Sequence, residues 1–184
     1  MSRKPTKSFI TLGLLSALLG ISAPAQQTTE NKPTISAAPV PIVRTVAGFI
    51  RGVTEGDVSS FKGIPYAAAP LGTNRWRPPQ PVAPWPGERD GSKFGADCAQ
   101  RGFGSGNSIR ENTSEDCLFL NVWKPTETAP AAKLPVMVWI HGGAFVFGSG
   151  SSPDFSRAQF AKQGVILVTF NYRLVDLAFS PSPR

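Results

Sequence analysis

The amino-acid sequence predicts an α/β fold in which a small antiparallel meander precedes the first strands of a central, mostly parallel sheet. Three observations carry this prediction. Short β-prone runs separated by turn residues open the domain. Two nearly continuous apolar runs follow later in the chain, as in strands covered on both faces. The segment between these two runs has the apolar spacing of a short helix, so that strand, glycine-rich loop, helix and strand form one βαβ unit.

The opening strands are expected at residues 42–46, 48–54 and 58–63, where β-branched and aromatic residues lie between Gly and acidic turn residues. Residues 65–95 then contain too many prolines and glycines for regular structure. They are expected to form a long ordered surface loop that is pinned by Trp76 and Trp85.

Later strands are predicted at residues 118–123, 136–140 and 165–170. A short helix is expected over residues 154–162, where apolar and polar positions alternate at helical spacing. Gly164 is expected to end it, because glycine readily adopts the left-handed conformation that terminates helices.

The N-terminus has the pattern of an export signal over residues 1–25. Arg3, Lys4 and Lys7 precede an apolar run at residues 9–21, and an A-x-A cleavage site follows at residues 23–25. A membrane anchor is the alternative, but the run is shorter than the roughly 18 apolar residues that a spanning helix needs. We therefore expect a periplasmic or extracellular protein without a stable membrane anchor.

Residues 26–41 are rich in Thr, Pro, Ala and Ser, which predicts a flexible linker before a domain at residues 42–174. Cleavage of the signal would lower the formal net charge from +7 to 7 − 3 = +4. The remaining Lys and Arg residues are scattered and do not alternate with stacking aromatics, so no nucleic-acid partner is expected.

The two cysteines, Cys98 and Cys117, favour a disulfide over a metal pair in an exported chain. A metal site would need further ligands, which one histidine cannot supply. Two free thiols remain the alternative. We expect neither a metal nor another cofactor.

Four motifs stand in a characteristic order along the chain: FKGIPYAAAPLGTNRWRPPQP at residues 61–81, SEDCLFLN at 114–121, PVMVWIHGGAF at 135–145 and FNYRL at 170–174. Together they resemble the type-B carboxylesterase and cholinesterase-like family of the α/β-hydrolase fold. The resemblance implies the N-terminal portion of such a domain. Members hydrolyse small-molecule carboxylic esters through an acyl-serine intermediate.

The resemblance also assigns an oxyanion hole to the glycine pair that follows the apolar run at residues 136–140. Backbone N–H groups of Gly143 and Ala144 would donate to the reacting oxygen, and Gly142 would shape the turn. A third N–H group is expected from the residue after the nucleophile, which this sequence does not contain. An ordinary strand-ending turn would be the simpler interpretation of HGG alone.

His141 is the only histidine of the sequence, but it precedes the positions of the nucleophile, acid and base, which follow one another in that order in this fold. The resemblance implies that it orients the loop as a buried, hydrogen-bonded side chain. Phe145 and Phe147 could line an acyl or alcohol pocket, or could equally belong to the core.

Two structural pairs are also implied by the resemblance. The cysteine of the SEDCL motif, Cys117, is expected to be bridged to Cys98. The arginine of the first motif, Arg75, is expected to pair with Glu115. Such an ion pair would be structural and would matter only if it is partly buried.

The sequence contains no G-x-S-x-G motif, so none of the three triad residues is identified. In the family FNYRL is followed by Gly, two variable residues, Gly and Phe, whereas residues 175–184 depart from that pattern. A one-base slip near the Val175 codon would explain the departure, and we expect this tail to be out of frame. The chain itself is predicted to be inactive. A non-catalytic cholinesterase-like binding module and a non-functional frameshifted product are the alternatives.

Overall fold

The computed structural model describes residues 40–100, 112–129, 131–153 and 157–174. The predicted signal peptide, most of the predicted linker and the predicted out-of-frame tail lie outside the described residues. Among the described residues, none of the helical segments combines the length and the apolar character that a bilayer crossing requires.

Ten strands and one α-helix lie within the described ranges. They are β1 (Ile42–Arg44), β2 (Phe49–Arg51), β3 (Val53–Glu55), β4 (Val58–Pro65), β5 (Glu88–Asp90), β6 (Asp97–Cys98), β7 (Thr113–Ser114), β8 (Phe119–Pro125), β9 (Val136–Trp139), α1 (Arg157–Lys162) and β10 (Ile166–Phe170). A short 3₁₀ helix covers Gly72–Asn74.

The main sheet has five strands in the order β3-β4-β8-β10-β9. The first three pairings are antiparallel, whereas β10 and β9 run parallel. The sequence predicted a mostly parallel sheet, and the described part of it is mixed. The expected βαβ unit is present as β9, α1 and β10, and Gly164 follows α1 with a φ of 80°.

The predicted run at residues 48–54 is divided at Gly52 into two strands that belong to different sheets. β2 joins a three-stranded sheet with β1 and β5, whereas β3 pairs with β4 in the main sheet. A Cβ at position 52 would lie 2.4 Å from the Ser60 carbonyl oxygen, so glycine allows the close approach that accompanies the change of sheet.

The long segment after β4 is only partly the irregular loop that the sequence predicts, because β5 lies within it and pairs in parallel with β2. Trp85 anchors this segment as expected, since its indole N–H donates to the Phe49 carbonyl at 3.0 Å. Trp76 is less buried than an anchoring side chain is expected to be. Its side chain is 52% exposed and therefore contributes little buried area.

Two apolar clusters stabilise the described fold. One contains Ala67, Leu118, Leu174 and the two cysteines, and Tyr172 packs against it. The other joins the main sheet to α1 through Val58, Trp123, Ala161 and Leu167. The first cluster lies beside the candidate site, and its burial holds the end of β10 in place.

β9 has the apolar sequence of a strand covered on both faces, but within the described chain it is not covered. Val136, Met137 and Val138 are all at least 43% exposed, and Ile140 is 65% exposed. The cause is the position of the strand. β9 lies at the edge of the sheet and pairs with β10 on one side only within the described ranges. β10 shows the alternation of a half-buried strand.

Candidate active site

The candidate site is built on residues 141–148, which we call the 141–148 loop and which begin directly after β9 and Ile140. Four residues of this loop have a positive φ: 113° at Gly143, 52° at Ala144, 61° at Phe145 and 123° at Gly148. The amides of Val146 and Phe147 both donate to the Gly143 carbonyl, at 2.9 and 3.3 Å. The backbone is thus coiled tightly at the carboxyl end of the strand.

Two of the three loop glycines are required by close backbone contacts. A Cβ at Gly143 would lie 1.9 Å from the Phe147 carbonyl oxygen, and a Cβ at Gly148 would lie 2.2 Å from His141 Nδ1. A Cβ at Gly142 would meet nothing within 4 Å. The steric demand for glycine therefore falls on positions 143 and 148, whereas the sequence had assigned the shaping of the turn to Gly142.

The N–H groups of Gly143 and Ala144 donate to no acceptor in the part of the chain that the structure describes. Ala144 is exposed and Gly143 is half-buried. Neither amide is therefore used in the ladder that joins β9 to β10, and both are available to a further acceptor.

His141 is buried, with 4% of its surface exposed, at the start of the loop. Its ring nitrogen Nδ1 lies 2.9 Å from the Gly142 carbonyl oxygen, and because a carbonyl can only accept, this nitrogen carries the proton of that bond. The imidazole is therefore held against the turn that it begins.

Tyr172, from the FNYRL motif, is the main partner of His141. The two rings stack with centroids 4.1 Å apart, and the Tyr172 hydroxyl donates to the His141 carbonyl at 2.6 Å. Burial raises the pKa of this phenol above its ordinary value. In the sequence, Tyr172 stood out only as part of the FNYRL motif. It lies two residues after β10, and β10 pairs in parallel with β9. Tyr172 therefore lies beside the loop that follows β9.

Gln100 is a second residue that the sequence analysis missed. It is 9% exposed, and its side-chain amide bonds both polar groups of Gly148, with Oε1 accepting from the Gly148 N–H and Nε2 donating to its carbonyl, each at 2.8 Å. The only sequence feature that connects Gln100 with the site is its position two residues after Cys98.

A buried polar network continues from the end of the loop. Asp97 accepts hydrogen bonds from the hydroxyls of Ser149 and Ser151. The Asn171 side chain accepts from the Gly150 amide at 2.8 Å and donates to the Ala96 carbonyl at 3.0 Å. These bonds fasten the segment that leaves the loop to the end of β10 and to the chain before β6.

An open cleft of about 500 Å³ lies beside the loop. Half of its lining residues are aromatic, namely Tyr66, Phe145, Phe170 and Tyr172. Burial raises the pKa of Tyr66, and the nearby positive charge of Arg173 opposes that shift. Of the two phenylalanines singled out from the sequence, Phe145 lines this cleft, whereas Phe147 presents its carbonyl to Gly143.

The two predicted structural pairs are present in the structure. Cys98 and Cys117 form a disulfide with their Cα atoms 4.8 Å apart. The Arg75 guanidinium binds the Glu115 carboxylate through two nitrogens, one of them Nε at 3.0 Å, and Glu115 raises the pKa of Arg75. Both side chains of this ion pair remain partly exposed. The pair therefore contributes little to the stability of the long segment that contains Arg75.

Among the residues that the structure describes, no group of three His, Cys, Asp or Glu side chains is arranged to hold a metal ion. The polar groups that converge on the loop are backbone amides, carbonyls and hydroxyls, together with one imidazole.

The model of the carboxylesterase family matches residues 39–182. This chain belongs to the carboxylesterase family. Its described part is accordingly an N-terminal portion of the α/β-hydrolase fold, and the family match continues past Leu174 into the segment that we expected to be out of frame.

Two of the curated relatives that the chain matches in part are esterases. It is 47% identical over 139 residues to the fumonisin B1 esterase of Sphingopyxis macrogoltabida, covering 76% of this chain and 25% of that protein. It is 45% identical over 141 residues to the para-nitrobenzyl esterase of Bacillus subtilis, covering 75% and 28%. The chain thus spans about a quarter of the length of these relatives.

Solved esterase structures also match most of this chain and only part of their own length. The carboxylesterase Est55 of Geobacillus stearothermophilus matches with a TM-score of 0.67 and 45% identity, over 75% of this chain and 27% of that one. A para-nitrobenzyl esterase structure matches with a TM-score of 0.67 and 42% identity, over 74% and 28%.

Proposed function

We propose that this chain is the N-terminal part of a secreted carboxylesterase that hydrolyses small-molecule carboxylic esters through an acyl-serine intermediate. In this proposal the 141–148 loop contributes the oxyanion hole, and the nucleophile, acid and base belong to a part of the enzyme that these 184 residues do not contain. Membership of the carboxylesterase family supports the reaction class.

The observation that carries the proposal is the state of the Gly143 and Ala144 amides. When an ester is attacked, its carbonyl oxygen gains negative charge, and donors that are already fixed in place stabilise that charge without reorganisation. Both amides are free of acceptors within the described chain, and both lie in a tightly coiled turn at the carboxyl end of a strand. Ligands of open α/β sheets bind at such ends.

In this mechanism His141 acts on the loop and not on the ester. Its Nδ1–H group is bonded to the Gly142 carbonyl, and its ring is covered by Tyr172. A proton held in that bond is not available to a substrate. The cleft beside Phe145 would accept an apolar part of the ester, because its lining is mostly aromatic and aliphatic.

The disulfide supports the export of the protein, because such bridges persist in oxidising compartments. Fractionation of cells that produce the chain tests this part of the proposal. A mature protein that begins near Gln26 in the periplasm or medium is expected, and an uncleaved cytoplasmic chain with two alkylatable thiols would contradict it.

A chimera tests the oxyanion hole. Residues 42–174 would replace the matching segment of the Bacillus subtilis para-nitrobenzyl esterase, so that the host supplies the remainder of the enzyme. We expect a folded chimera that hydrolyses a para-nitrobenzyl ester. A chimera that melts cooperatively but is inactive would contradict the proposal.

The isolated chain tests the placement of the nucleophile. Mixed with a p-nitrophenyl ester, it should release no burst of p-nitrophenol beyond a matched blank. A burst that is abolished by a serine-directed phosphonate would show that a nucleophilic serine is present in these 184 residues.

A further inference from the structure

We propose that Gln100 is a positioning residue that sets the geometry of the 141–148 loop. This inference rests on the proposed function in one respect, which is the role of the loop as an oxyanion hole. The contact itself is independent of that use, because the Gln100 side chain bonds both the N–H and the carbonyl of Gly148.

Gln100 is itself held in place by its surroundings. Its Nε2 also donates to the Cys98 carbonyl at 3.0 Å, and Cys98 is joined by the disulfide to Cys117 in the buried cluster beside the site. The side chain is 9% exposed, so water competes little for its amide. A primary amide that satisfies a backbone N–H and a backbone carbonyl at once makes the same pair of bonds as a neighbouring strand.

Gly148 cannot move without moving the start of the 141–148 loop. A Cβ at position 148 would lie 2.2 Å from His141 Nδ1 and 2.5 Å from the Gly142 carbonyl oxygen, so the backbone of Gly148 is packed directly against both residues. Phe147 directly precedes Gly148, and a Cβ at Gly143 would likewise lie too close to the Phe147 carbonyl oxygen.

A series of contacts therefore connects the disulfide with Gly143 through Gln100 and Gly148. Backbone segments packed too closely to admit a Cβ do not move independently, because protein interiors are close-packed and transmit displacements. Gln100 holds the far end of the loop, and Tyr172 holds the near end through the His141 carbonyl. The donor pair at Gly143 and Ala144 lies between the two fixed ends.

The test uses the full 184-residue chain labelled with ¹⁵N. Gln100→Leu removes all three hydrogen bonds at similar volume, and Gln100→Glu keeps the acceptor for the Gly148 N–H. Gln80→Leu is the control, because Gln80 is exposed and, among the described residues, its side chain bonds only to the Pro78 carbonyl. Amide proton shifts and hydrogen exchange are measured at Gly143, Ala144 and Gly148, with Ile50 as a reference in the buried core.

In Gln100→Leu we expect exchange at Gly148 to accelerate by about tenfold or more. We also expect the Gly143 and Ala144 amide shifts to change while exchange at Ile50 does not. Gln100→Glu should restore the slow exchange of Gly148 in part, and Gln80→Leu should match the wild type. If Gln100→Leu does not fold, Gln100→Glu carries the test through the Gly143 and Ala144 shifts.

Two results would overturn the proposal. In one, Gly148 exchange accelerates but the Gly143 and Ala144 shifts stay at their wild-type values. In the other, exchange accelerates equally at Ile50, which indicates general destabilisation. If the shifts change as expected but the two amides prove unimportant for turnover in the chimera, then the proposed function fails and the positioning role of Gln100 stands.

Discussion

Tyr172 covers the ring of His141 and also holds its backbone, with the two rings stacked 4.1 Å apart and the phenol donating to the His141 carbonyl at 2.6 Å. Tyr172, which follows β10, thus fixes His141, the first residue of the loop that follows the parallel strand β9. Both the ring and the backbone of the buried His141 are therefore held by the same side chain.

Tyr172→Phe keeps the stacked ring and removes the hydroxyl that bonds the His141 carbonyl. We expect the free energy of unfolding to fall by about 1 kcal/mol, the usual net contribution of such a bond. Tyr66→Phe is the matched control, because its hydroxyl donates at the same distance to the Asn171 carbonyl, which lies outside the loop. Amide shifts of Gly142 and Gly143 should change in Tyr172→Phe only, and a change of equal size in both variants would contradict this assignment.

The loop glycines should differ sharply in their tolerance of a methyl group. Gly143→Ala places a Cβ on the Phe147 carbonyl at a φ of 113°, and we expect it to lower the free energy of unfolding by about 1 to 3 kcal/mol. Gly142→Ala is the control, because open space surrounds that position. Urea unfolding of both variants measures the difference, and equal stabilities would show that the turn is not as tightly coiled as described.

The disulfide should be a main source of stability beside the site. The bridge closes a loop with a sequence separation of 19, for which the chain-entropy model gives about 3 kcal/mol. We expect the Cys98→Ala, Cys117→Ala double variant to unfold at a correspondingly lower urea concentration. Reduction of the wild type should lower its unfolding midpoint to that of the double variant, and a reduced protein as stable as the oxidised one would contradict the prediction.

Alkaline pH should destabilise the fold through Tyr66. Burial raises the pKa of its phenol above the ordinary value of about 10. Because the folded state favours the neutral form, this contribution to stability is complete below the ordinary pKa and is lost as pH rises through the raised pKa. Between about pH 9 and pH 11, wild type should therefore lose more unfolding free energy than Tyr66→Phe. Parallel loss in the two proteins would show that Tyr66 is not the cause.

The exposed edge strand should make the isolated chain associate with itself. Val136, Met137 and Val138 present an apolar edge, and such strands template pairing with other chains. Val138→Lys should lower the sedimentation-detected oligomer fraction. Val46→Lys replaces a fully exposed valine outside any strand and should leave that fraction unchanged. A fraction that is insensitive to Val138→Lys would locate the association elsewhere.

Sequence reasoning placed β8, β9 and β10 well, because apolar runs are local signals. It failed where tertiary context decides. The run at residues 48–54 gives no local sign that Gly52 sends its two halves to different sheets. The apolar run of β9 is the sequence of a buried strand, and its exposure follows from its place at the edge.

The site shows the same division. His141, Gly143 and Ala144 lie within four consecutive residues, so one motif names them together. Gln100 and Tyr172 come from distant segments, and no spacing rule connects a glutamine after β6 with a glycine at position 148. Only the fold brings the Gln100 side chain to the Gly148 backbone.

The central claim is that the Gly143 and Ala144 amides stabilise negative charge on a reacting ester oxygen. In the chimera with the para-nitrobenzyl esterase, replacement of the Ala144 amide N–H by an ester oxygen removes one donor and leaves every side chain unchanged, and the same replacement at the exposed Ala132 is the control. We predict that kcat falls by about 10²- to 10³-fold at position 144 with little change in KM, as expected for the loss of one oxyanion donor. A kcat at position 144 equal to that of the Ala132 control would contradict the claim.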